Sequence, residues 1–177
     1  MVGLGAPVAA VPCLLPPVDV PIAEPYREPA CPYCPGQRGV RYHPAPGTSV
    51  RAVAGGRVDF VGLVAGVRWV TVGHPDGLRS TYGYLRSARV KVGQQVAMGD
   101  LLGVSGALLH LGLRRGEQYL DPTPVLGRAV GRVRLVPVAG SGGRPVSPPG
   151  SRSPVRPRPA PRLVCPSVAV VGARSPR

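Results

Sequence analysis

The sequence predicts an all-β fold: a compact, glycine-punctuated antiparallel β sandwich or barrel. Three observations predict it. Short β-branched runs recur across residues 36–127, broken by Gly55-Gly56, Gly93, Gly99, Gly103 and Gly106. No window of useful length repeats its apolar residues at the 3.6-residue period of an amphipathic helix. Only five of the 24 prolines fall in residues 36–127, against nine in 1–35 and ten in 128–177. Since proline removes a ladder donor, the proline-poor span is where a sheet can form. Three parts follow: a Pro-rich leader (1–35), a β domain (36–127) and a Pro/Arg-rich disordered basic tail (128–177).

The strands can be justified in order. Residues 48–61 read as two short strands around Gly55-Gly56. From Val67 to His74 the chain alternates, with Val70, Val72 and His74 on one face and Trp69 and Thr71 on the other. Pro75-Asp76-Gly77 is a turn, because Pro presets φ and Gly accepts positive φ. Leu78 to Leu85 is the returning strand, and His74 is expected as a structural strand-end residue. Residues 90–106 give short glycine-broken strands, and Leu108 to Arg114 a last one before Gly116. Residues 50–62 and 90–103 echo one another as strand, glycine turn, strand. Biotinyl and lipoyl carriers share that pattern but need a hairpin-tip lysine beside methionine. Lys91 stands between Val90 and Val92 instead.

Charge is uneven. The formal net charge is +14, yet no acid follows Asp121 while ten arginines do. The tail is therefore read either as a solvated linker or as a cationic strap for anionic polymers or lipid headgroups. It carries no aromatic residue to stack on bases, so nucleic acid is not the expected partner. No stretch reaches the roughly 20 apolar residues of a membrane span. The apolar N-terminus lacks a positive n-region, leaving a disordered start or a secretion-signal remnant. Cys31-Pro32-Tyr33-Cys34 lacks the second pair of a zinc ribbon. Pro29, Pro32 and Pro35 oppose the helix that a thioredoxin-like site needs. Disulfides Cys31–Cys34 and Cys13–Cys165 are expected, which suits a secreted or surface protein. Four unpaired thiols are the alternative.

Four motifs occur in a familiar order: Ala45-Pro46-Gly47-Thr48-Ser49-Val50, Tyr82-Gly83-Tyr84-Leu85, Val92-Gly93-Gln94-Gln95-Val96, and Leu108-Leu109-His110-Leu111 followed by Asp121-Pro122. Over about half the chain this series resembles the lysostaphin/LytM-type zinc endopeptidases, which cleave peptidoglycan cross-links on a duplicated-hybrid-motif fold. The resemblance implies a zinc site held by His-x-Gly-x-Asp and the second His of His-x-His. Here Gln37 and Arg41 occupy the first two ligand positions and only His110 remains of the metal set. The two catalytic histidine positions hold Tyr84 and Leu108. A zinc ion facing a cation 4 Å away would be repelled by about 8 kcal/mol at an effective dielectric of 20. Without the metal there is no means of bringing water's pKa down to about 7. The expectation is a catalytically inactive member without zinc. Gln37, Arg41, Tyr84 and His110 would line a groove that binds wall peptide, or through which the protein regulates a wall hydrolase. Arg41 would offer a fixed cation to a carboxylate or phosphate. The alternatives are a dead site in which these residues only fill space, an active zinc endopeptidase with a rearranged site, in which His43 is a further candidate ligand, and a basic scaffold acting through its tail.

Overall fold

The computed structural model describes residues 13–31, 34–130 and 162–165. The expected basic tail lies outside these residues, apart from 128–130 and 162–165. Among the described residues the regular structure is almost all strand, with one short 3-10 turn and no α-helix. Eight strands form one open antiparallel sheet: β1 (Val40–Tyr42), β2 (Ser49–Arg51), β3 (Gly56–Val64), β4 (Val67–Gly73), β5 (Leu78–Ala88), β6 (Gln95–Val96), β7 (Leu101–Arg115) and β8 (Gln118–Leu120). The main path runs β1-β7-β5-β4-β3-β6, with β2 and β8 also paired to β7. The two runs flanking Gly55-Gly56 are both strands but do not pair with each other; β2 joins β7, and β3 joins β4 and β6. A short 3-10 turn (Thr123–Val125) precedes β9 (Arg128–Val130), which pairs with β10 (Arg162–Val164). Among the described residues no helix is long and apolar enough to cross a membrane.

Strand alternation separates two faces. Val40, Val70, Val72, Leu78, Tyr82, Leu109, Leu111 and Leu113 turn inward and are essentially inaccessible to water. They pack with Val50, Val53, Val58 and Leu102. The core extends further toward the N-terminus than the expected boundary at residue 36. Leu14 and Val18 are buried in it, and Leu14 N–H donates to the Val125 carbonyl at 2.8 Å. Cys13 and Cys165 are joined beside this contact, with Cα atoms 5.8 Å apart. Cys31 and Cys34 are joined across their own turn.

His74 ends β4 in a buried polar chain. Its Nδ1 lies 2.8 Å from the Gly55 carbonyl and its Nε2 2.9 Å from Ser80 Oγ. A carbonyl only accepts, so Nδ1 carries the hydrogen of that contact. Tyr82 OH sits 3.1 Å from Ser80 Oγ and accepts from Val53 N–H at 2.9 Å. Burial pushes the Tyr82 phenol up to about 12, so it stays protonated at physiological pH. This chain ties the β2–β3 connection to β4 and β5.

Removing one member strands its partners in a site without water, at a cost of roughly 1–3 kcal/mol. Tyr82→Phe keeps the ring volume and should lower the unfolding free energy of the oxidised protein by about 2 kcal/mol in chemical denaturation. A loss below about 0.5 kcal/mol would show that the hydroxyl contributes nothing net.

Candidate functional site

The outward face of the sheet is organised in cross-strand rows. In the first row, Trp69 pairs with Gly83, Gly83 with His110, and His110 with Arg41. An isolated bridge then places Glu24 beside Arg41. In the next row Thr71 pairs with Thr81 and Thr81 with Gly112. In the third, Gly73 pairs with Arg79, Arg79 with Arg114, and Arg114 with Tyr119. Glycines in these rows let larger neighbours fold over them. A Cβ on Gly83 would sit 2.4 Å from the Trp69 ring, and one on Gly112 would meet His110 Nε2 at 3.3 Å. The result is a trough of about 520 Å³ lined by Trp69, Thr71, Thr81, Arg79, Arg114 and His110, among others.

Of the residues expected to line a groove, the structure puts His110 on this trough. Gln37, Arg41 and Tyr84 are not among its lining residues. Gln37 and Arg41 instead engage the segment around Glu24, which the sequence reading did not single out. The Gln37 side-chain amide donates to the Glu24 carbonyl at 3.4 Å. Arg41 Nη1 pairs with Glu24 Oε2 at 3.1 Å, and His43 Nε2 lies 3.6 Å from Oε1 of the same carboxylate. Backbone bonds lace the contact, with Arg41 N–H donating to the Glu24 carbonyl at 2.9 Å. Arg41 therefore does not stand as an open cation in the trough, and its Nε is buried without a hydrogen-bond partner.

Tyr84 and Leu108 fall together in the irregular part of the sheet. The pairing jumps from Gly83↔His110 to Leu85↔Ser105, so Tyr84 alone faces the excursion that contains Leu108. Tyr84 takes φ of 65°, a left-handed conformation costing a non-glycine residue roughly 1–2 kcal/mol. Its ring packs against Trp69, centroids 6.0 Å apart. His110 meets Trp69 edge-on at 5.7 Å.

His110 is the ionisable group that the site changes most. Burial, followed by the neighbouring Arg41 charge, lowers its pKa to about 4. The imidazole is neutral at pH 7 and keeps a lone pair. Zinc nevertheless does not fit this donor set. A catalytic zinc takes three protein ligands, and among the described residues no three His, Cys, Asp or Glu side chains are grouped to hold an ion. The cross-strand neighbour of His110 is a guanidinium, already paired to Glu24.

The His110 ring protons should titrate near pH 4 by NMR, and Arg41→Met should move that midpoint upward. The unfolded chain binds a proton near pH 6.5 while the native ring resists it. Its contribution to stability is therefore complete above that value and is lost as pH falls toward 4. A midpoint near 6.5 in the folded protein would contradict the buried placement.

Comparison with known proteins agrees with this fold. Residues 35–122 match the model of Peptidase family M23. An uncharacterized protein of Mycobacterium tuberculosis H37Rv, Rv2891, is 35% identical over 121 residues, covering 61% of this chain and 47% of that protein. The murein hydrolase activator EnvC of Escherichia coli K12 is 42% identical over 90 residues, covering 46% of this chain and 22% of that protein. The chain thus spans less than half the length of these relatives. Helicobacter pylori Csd3 superposes with a TM-score of 0.58 at 26% identity, covering 67% of this chain and 36% of that chain. The chain belongs to peptidase family M23.

Proposed function

We propose that this chain is a non-hydrolytic member of its family, acting outside the cytoplasm. Its groove would bind peptidoglycan peptides, or a wall hydrolase that it regulates. The observation that carries the reading is the Arg41–Glu24 pair beside His110. The family's metal position is filled by an internal ion pair, while a trough lined by His110 and Gly112 among others lies next to it. A family member with a blocked metal position and an open groove retains the means to bind but not to hydrolyse. The likeness to a murein hydrolase activator supports the regulatory form of the reading. The two disulfides support an oxidising compartment.

The chemistry supports the same conclusion. Hydrolysis needs a nucleophilic water and a group to move its proton. His110 is neutral at pH 7, but Tyr84 and Leu108 occupy the positions of the family's proton-transfer histidines. Zinc supplies the family's nucleophile and stabilises its transition state, and the residues here do not fit it.

The purified protein should carry far less than one zinc per chain and release no fragments from cross-linked muropeptides. It should still be retained on isolated peptidoglycan or on a wall hydrolase. Stoichiometric zinc, with muropeptide cleavage abolished by His110→Ala, would overturn the reading in favour of an active enzyme with a rearranged site.

A further inference from the structure

The third cross-strand row sets two cations against each other. Arg79 and Arg114 are direct partners on the outward face of β5 and β7. Like charges in that position oppose pairing, with Cβ atoms about 5 Å apart. Each is relieved from its far side by an acid: Arg79 Nε lies 3.4 Å from Asp59 Oδ2, and Arg114 Nη2 3.1 Å from Glu117 Oε1. Both pairs are solvent-exposed, Glu117 at 93%, and such pairs contribute about 0.2–1 kcal/mol. An incoming carboxylate can therefore replace them at little cost. Arg38, stacked over the Tyr119 ring at 5.7 Å, adds a third guanidinium to the same wall.

The rest of the trough is of another character. Toward the β3–β4 turn it adjoins an apolar depression of about 430 Å³, with Phe60, Trp69, Thr71 and Thr81 lining both. Phe60 and Val64 are 40 and 53% exposed there. One end is thus cationic, the middle is an indole with two threonine hydroxyls, and the far end is apolar.

The geometry points to an acidic segment of a partner polypeptide as the occupant. Its carboxylates would be held between Arg79 and Arg114, and its apolar side chains laid on Trp69 and Phe60. The polarity of the trough carries this choice. A phosphate polymer would satisfy the arginines but leave the apolar end bare, and an apolar peptide would do the reverse. The inference rests on reading the groove as a binding site and moves the anion-holding role from Arg41 to Arg79 and Arg114.

The test is fluorescence anisotropy with the full oxidised chain at low salt. The probes are a labelled six-residue peptide of three acidic and three apolar residues, the same peptide with amides in place of its carboxylates, and inorganic polyphosphate. The acidic peptide should bind at least tenfold more tightly than its amide form and weaken as salt rises. Arg79→Gln and Arg114→Gln should each weaken it about tenfold, whereas Arg86→Gln, at an exposed position outside the trough, should leave it unchanged. Unaltered thermal melting of the variants checks that they fold. Equal binding of acid and amide peptides, or insensitivity to both arginine variants, would overturn the inference. Polyphosphate binding more tightly than the acidic peptide, through the same arginines, would overturn the polypeptide class. These failures leave the non-hydrolytic reading standing; zinc-dependent cleavage would sink that reading whatever the peptides do.

Discussion

The site depends on one constraint, the register of β7 between β1 and β5. That register sets His110 opposite both Gly83 and Arg41. A shift of one residue would turn Leu109 and Leu111 out of the core and His110 into it. The buried leucines therefore fix where the imidazole points. The same register aligns Trp69 with His110 across Gly83, and Arg79 with Arg114 four residues further along each strand. Core packing on one face thus determines the chemistry on the other.

Glu24 is the second determinant. It comes from the proline-rich segment that precedes the sheet, yet it closes the row by pairing with Arg41. A half-buried ion pair of this kind, still in reach of solvent, contributes only modestly to stability by itself. Its consequence is local. It holds the Arg41 guanidinium beside His110, and both burial and that charge keep the imidazole unprotonated. A cation fixed at that position is the least suitable neighbour for a divalent metal.

Much of the fold was legible because alternation and glycine punctuation are local signals. The inward set Val70, Val72 and His74 and the turn at Pro75-Asp76-Gly77 needed no partner strand to be recognised. The site was legible only in part. His110, Gln37 and Arg41 could be placed by motif, but motif does not say which way a side chain leans. Arg41 turned to Glu24, 17 residues earlier, a contact between segments that no spacing rule connects. Arg79 and Arg114 lie 35 residues apart in sequence, and their juxtaposition needs the β5–β7 register. The leader's role in the core was missed for a related reason. Leu14 and Val18 are isolated apolar residues among prolines, without a period to announce burial.

The non-hydrolytic reading proposes that an ion pair, and no metal, occupies the position that the resemblance assigns to the family's metal. The most direct measurement is a crystal structure of the protein grown with excess zinc, with anomalous scattering recorded at the zinc edge. The account predicts no anomalous peak at His110 and an Arg41–Glu24 contact near 3.1 Å. A zinc peak on His110 Nε2 with the Arg41 side chain displaced would contradict it.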